Sequence, residues 1–119
     1  MASPNVIPPE APIEVRQRIL DALKAERYMI YDNGRRFLEA MGFAPDEMIC
    51  QDVVGYLEDG CRLYCLTGPD IVGEKYQCCI HYEESLIVHV KLTPSGDGSG
   101  FHVKLGFHRH NTGYAPLPS

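Results

Sequence analysis

Two segments in the C-terminal half restrict the fold more than anything else in the chain, because their side chains alternate between apolar and polar. Over Ser85 to Thr93 the apolar set is Leu86, Val88, Val90 and Leu92, with Ile87, His89 and Lys91 on the other parity. Over Phe101 to His108 the apolar set is Phe101, Val103, Leu105 and Phe107, with His102, Lys104, Gly106 and His108 opposite. Successive side chains of a strand point to opposite faces, so a period of two predicts two strands that each bury one side. The connection Pro94-Ser95-Gly96-Asp97-Gly98-Ser99-Gly100 has loop composition, which makes the pair an antiparallel hairpin. Two further strands are expected upstream. Lys75 to Tyr82 puts Gln77, Cys79 and His81 on one side and ends in a tight turn at Glu83-Glu84. Cys61 to Leu66 comes before the loop Thr67-Gly68-Pro69-Asp70.

Before Gly60 the period is helical. Pro12 suits the first turn of a helix running to about Arg27, with Val15, Ile19, Ala22 and Leu23 as its buried stripe. Tyr28 to Tyr31 is a brief strand or an extended link. Asp32 or Asn33 then caps a second helix that buries Phe37, Leu38 and Met41 and stops at Gly42. A third starts at Ala44-Pro45-Asp46-Glu47, buries Ile49, Val53, Tyr56 and Leu57, and ends at Gly60. Helices followed by consecutive strands predict an α+β domain, with N-terminal helices on one face of an antiparallel sheet of four or so strands.

The chain has 119 residues, enough for one domain, residues 1–119, with 1–11 and 111–119 as loose or irregular arms. No apolar run is long enough to cross a bilayer, and the first residues lack the basic-then-apolar pattern of a signal peptide. The expectation is a cytoplasmic protein with no membrane partner. Cys50, Cys61, Cys65, Cys78 and Cys79 are odd in number and lack CxxC spacing, so reduced thiols are expected rather than a disulfide framework.

The net charge of −5 argues against binding nucleic acid over the whole surface, but the charge is unevenly spread. Residues 1–84 hold 15 acidic against 8 basic residues, whereas residues 85–119 hold Asp97 alone against Lys91, Lys104 and Arg109, plus four of the five histidines. A bound polyanion feels the local potential. The polar parity of the last two strands carries His and Lys and no carboxylate. For any single residue, a solvated sheet face explains this well enough. For the group that explanation weakens, and such a face could bind phosphates and position general acids and bases, since histidine titrates near neutral pH.

Other chemistries fit less well. A zinc site drawn from Cys78, Cys79, His81, His108 and His110 lacks ligand spacing, and adjacent Cys78 and Cys79 point to opposite faces. A Cys79 nucleophile beside His89 has no local motif. Gly96, Gly98 and Gly100 precede no helix, so they form no phosphate-binding loop.

Between about Val15 and His110 the chain resembles the MqsR-like toxins of bacterial toxin–antitoxin pairs, which have a RelE-like fold. Arg35-Arg36-Phe37-Leu38-Glu39-Ala40-Met41-Gly42-Phe43 and Met48 to Leu57 with Glu58-Asp59 look like that family's helical half. Lys75-Tyr76-Gln77, Val88-His89-Val90-Lys91-Leu92 and Leu105-Gly106-Phe107-His108 look like its final strands. The resemblance implies an endoribonuclease that cleaves mRNA and is neutralised by a cognate antitoxin carrying a DNA-binding helix-turn-helix. Whether the substrate is free or ribosome-bound is left open. No metal or cofactor is implied. The family's site combines a basic residue after the helices, a Gln, an aromatic acid/base residue and a basic residue on the last strand. These fall on Arg62, Gln77, His89 (where the family has Tyr) and His108 (where it has Lys), and Lys91 matches directly. The implied roles are acid/base work for His89 and His108, phosphate binding for Arg62, Lys91, Lys104 and His102, and orientation for Gln77. Tyr64 or Tyr76 would stack on a base or else belong to the core.

Overall fold

The structure is a computed structural model that describes residues 9–66, 74–81, 85–98 and 100–109. The calls on residues 1–8, on the loop 67–70, on the turn at 83–84 and on the tail 110–119 lie outside those residues.

Helix α1 (Ile13–Lys24) buries Val15, Ile19, Leu20, Ala22 and Leu23, the stripe its period predicts. Strand β1 (Tyr28–Ile30) leads into α2 (Asp32–Ala40). Gly42 then adopts φ 88°, and Phe43 N–H reaches back to Leu38 O at 3.0 Å, so the helix ends in a left-handed turn that glycine enters without strain. The third predicted helix is a continuous helical stretch with a different middle. α3 (Pro45–Met48) widens into a π turn (Ile49–Val53) and then tightens into α4 (Val54–Glu58). Met48, Ile49, Val53, Val54 and Leu57 are all buried along it.

The sheet contains β2 (Tyr64–Leu66), β3 (Glu74–His81), β4 (Ser85–Pro94) and β5 (Phe101–Arg109), in the spatial order β1-β5-β4-β3-β2. The four C-terminal strands are antiparallel neighbours, and β1 joins β5 in parallel. The expected α+β architecture with helices on one sheet face is therefore present, with a fifth, parallel strand added. β2 pairs over three residues only, so Arg62 precedes the strand instead of lying in it.

The helices cover the face made by Tyr76, Cys78, Ile80, Leu86, Val88, Val90, Leu92, Val103, Leu105 and Phe107, as strand parity predicts. Each aliphatic side chain buried there contributes about 1.5–3 kcal/mol of transfer free energy. The α2–β5 contact is close because Gly34 lacks a side chain. A Cβ there would stand 3.1 Å from the Phe107 backbone nitrogen. Arg16 ties α1 to the end of α4, donating to Leu57 O at 2.8 Å and to Cys61 O at 2.6 Å. No helix among the described residues is long and apolar enough to cross a membrane.

Candidate functional site

Strand register stacks the residues of the far sheet face into rows. One row runs Lys75, Lys91, Lys104 across β3, β4 and β5, each directly opposite the next, with Met29 of β1 beyond. The next row runs Tyr64, Gln77, His89, Gly106. A third pairs Cys79 with Ile87 and Ile87 with His108.

Three ammonium groups side by side repel one another, and such pairs destabilise a sheet unless something negative lies across them. No ion pair among the described residues includes any of the three. All three are half-buried and form a cationic ridge across the strands.

The row beside the ridge is polar and buried. Gln77 is 3% exposed and His89 5%. His89 Nε2 lies 3.0 Å from Gln77 Oε1. That oxygen can only accept, so Nε2 carries the proton and donates it. Burial, then His108 and then Lys75, push His89 down to a pKa of about 4, so its ring is neutral at physiological pH. Gln77 Nε2 has no hydrogen-bond partner among the described residues. A buried amide nitrogen in that state costs about 1–3 kcal/mol.

His108 stacks obliquely on His89, with ring centroids 4.8 Å apart and planes at 56°. It is half-buried, and burial and then Lys75 lower its pKa. Gly106 is the floor between the rings. A Cβ there would lie 3.5 Å from His108 Nε2, 3.8 Å from His89 Cβ and 3.8 Å from Tyr31 Cδ2. Tyr31 reaches this spot because its backbone N–H continues the β1 pairing, donating to Leu105 O at 3.0 Å.

The expected residues thus divide into groups. Gln77, His89, His108, Lys91 and Lys104 come together. Arg62 is exposed at the edge of the sheet, where the Tyr64 hydroxyl and then Glu10 hold it more firmly protonated. His102 lies beyond the lysine row, near the hairpin loop, with Nδ1 2.7 Å from Ser95 Oγ. Tyr64 is 2% exposed and Tyr76 belongs to the helix-side core, so neither ring has an open face for a base. The near-complete burial of His89 corrects the view of this row as a solvent face.

Two residues of the site were not singled out in the sequence. Lys75 shares Gln77's parity two positions earlier, so that signal was available. Tyr31 carried none, because its position depends on the parallel pairing of β1 with β5.

Among the described residues no group of three or more His, Cys, Asp or Glu could hold a metal ion. His110 and the His81 side chain fall outside them. Cys79 shares a face with His89 but stands opposite Ile87. No protein-family model matches this chain, and no match to it is found among curated proteins or solved structures.

Proposed function

We propose that this protein is a metal-independent endoribonuclease of the toxin type, which cleaves mRNA and is held in check by a cognate antitoxin carrying a helix-turn-helix. The observation that carries the reading is the lysine row Lys75–Lys91–Lys104 lying directly beside the Gln77–His89–His108 group.

RNA brings its own nucleophile, the 2′-OH beside the scissile phosphate. Cleavage needs a base for that hydroxyl, cations for the negative charge that builds on the phosphorus oxygens, and an acid for the departing 5′ oxygen. His108, neutral and half-exposed, is the base. Lys75, Lys91 and Lys104 hold phosphates. His89 and Gln77 are too buried to meet a substrate easily and act as a hydrogen-bonded positioning pair behind His108. The second proton-transfer role then passes to Tyr31, the exposed phenol across Gly106. A phosphate seated on the row offsets the Lys75 charge that, after burial, depresses His108, so binding should tighten as pH falls.

The test is a labelled single-stranded RNA incubated in EDTA with wild type, His108→Ala and Tyr31→Phe. Cleavage by wild type, with a loss of about 10²-fold or more in each variant, supports the assignment. Wild-type rates in both variants, or no cleavage of either naked or ribosome-bound mRNA, rule it out.

The burial of His89 favours a second reading, a module that uses the same ridge to bind RNA without cutting it. That reading predicts salt-dependent retardation with no product, and Lys91→Ala would flatten the dependence of log affinity on log salt by about 0.7.

A further inference from the structure

A cavity of about 480 Å³ opens between the π turn, α4 and β3, its lining including Gln51, Asp52, Tyr56, Asp59, Cys61 and Cys79. The Cys61 thiol is half-buried in its wall and hydrogen-bonded to the thiol of Cys78, which is itself fully enclosed in the core. Arg16, anchored on Cys61 O and Leu57 O, holds its guanidinium beside them. We propose that Cys61 and Cys78 are a reversible redox pair, with Cys61 oxidised by a peroxide and Cys78 closing the disulfide.

Each part of the arrangement matches a step. Cys61 is reached from the cavity, whereas Cys78 is not exposed to solvent. The hydrogen bond from Cys78, against the effect of burial and with help from Arg16, draws the Cys61 thiol down to a pKa of about 7, and the same contact pushes Cys78 well above the usual range. Thiolate is the reactive form, so oxidation starts at Cys61. Its sulfur attacks one peroxide oxygen and the O–O bond breaks. That leaves a sulfenic acid on Cys61, and the displaced hydroxide takes up the thiol's proton as water. The Cys78 sulfur then attacks the sulfenic sulfur, the S–O bond breaks, and the hydroxyl leaves with the Cys78 proton as a second water. Two thiols are oxidised to one disulfide and one peroxide is reduced to two waters.

Cys65 is half-buried and burial pushes its thiol up, which makes it a poor competitor. Cys50 is exposed and can cross-link between molecules, so the experiment uses the full chain with Cys50→Ser. The protein is titrated with hydrogen peroxide, unfolded in denaturant, blocked with a maleimide and weighed. The expected product is 2 Da lighter before blocking, takes up two fewer maleimides and regains both after dithiothreitol. Cys61→Ser should abolish the change, and Cys79→Ala should keep it. Cys78→Ala should leave a Cys61 sulfenic acid that dimedone traps. Cys61→Ser alters a half-buried position, so it remains informative if Cys78→Ala fails to fold. A link that survives Cys61→Ser, a link lost in a folded Cys79→Ala, or oxidation with no intramolecular link overturns the proposal.

Discussion

The two faces of the sheet are made by the same strands and are equally closed at their centres, but from opposite materials. Toward the helices, Val88, Val90, Val103 and Leu105 have no exposed surface. On the far side, Ile87 has none either, yet its neighbours in the closed patch are Gln77, His89 and Tyr64, bordered by three lysines. Burying the first set is favourable in itself. Burying the second removes polar groups from water, and one hydrogen bond between Gln77 and His89 returns only part of that cost. A fold whose helix-side core already closes it has no stability reason to bury an amide and an imidazole beside a row of like charges. That contrast is the physical argument for the far face being a working surface.

The sharpest way to break the comparison is to truncate neighbours on one strand. Leu105→Ala removes a fully buried side chain from the helix-side core and should cost about 2–5 kcal/mol in chemical denaturation. Lys104→Ala, one residue earlier and facing the other way, should change stability by no more than about 0.5 kcal/mol. Equal losses would mean that the far face is a second structural core.

Acid should separate the faces next. The helix side has no group that titrates between pH 7 and 4, since burial raises Tyr76 and Cys78. On the far side the folded state holds His89 near pKa 4, below its unfolded value of 6.5, and lowers His108 too. The unfolded chain therefore binds more protons between those values. The stability held by the neutral rings is complete above about pH 6.5 and is lost as pH falls toward 4, by up to roughly 3 kcal/mol from His89. Urea melts between pH 7 and 4, with wild type beside His89→Gln, measure it. An unchanged slope in the variant would mean that the acid sensitivity lies elsewhere.

At neutral pH the Gln77–His89 pair itself is the finer probe. His89→Ala strands Gln77 Oε1 and should cost about 1–3 kcal/mol, whereas Gln77→Leu combined with His89→Leu should be close to neutral, because no buried polar group is left unpaired. A double variant as unstable as the sum of its singles would show that the hydrogen bond is incidental to the packing.

Much of this arrangement could be read from residue order. The alternation in Ser85–Thr93 and Phe101–His108 fixed which side chains share a face, because parity is a local property of the backbone. It brought Gln77, His89, Lys91, Lys104 and His108 together before any coordinates. Parity says nothing about what covers a face, so the burial of His89 was not legible. β1 was legible only as one of two options, a brief strand or an extended link, and its parallel pairing was not, because three residues have no period and their strand character comes from β5, far along the chain. Tyr31 was missed for the same reason. The π turn at Ile49–Val53 left no mark either, since Ile49, Val53 and Leu57 fit a plain helix.

The smallest expected change in stability gives the most specific probe of the far face. Gly106 sits in mid-strand, where alanine is tolerated and even favoured by its lower backbone entropy in the unfolded chain. The nearest atoms to a new Cβ would be at 3.5–3.8 Å, which is ordinary van der Waals contact. Gly106→Ala should therefore unfold within about 0.5 kcal/mol of wild type. Yet the methyl group would fill the space between His108 and Tyr31, the two groups proposed to move protons. If the gap is only a surface dimple, RNA binding and cleavage should survive the substitution. If it is the site, both should fall while the melting curve stays where it was, and no structural role for Gly106 would give that combination.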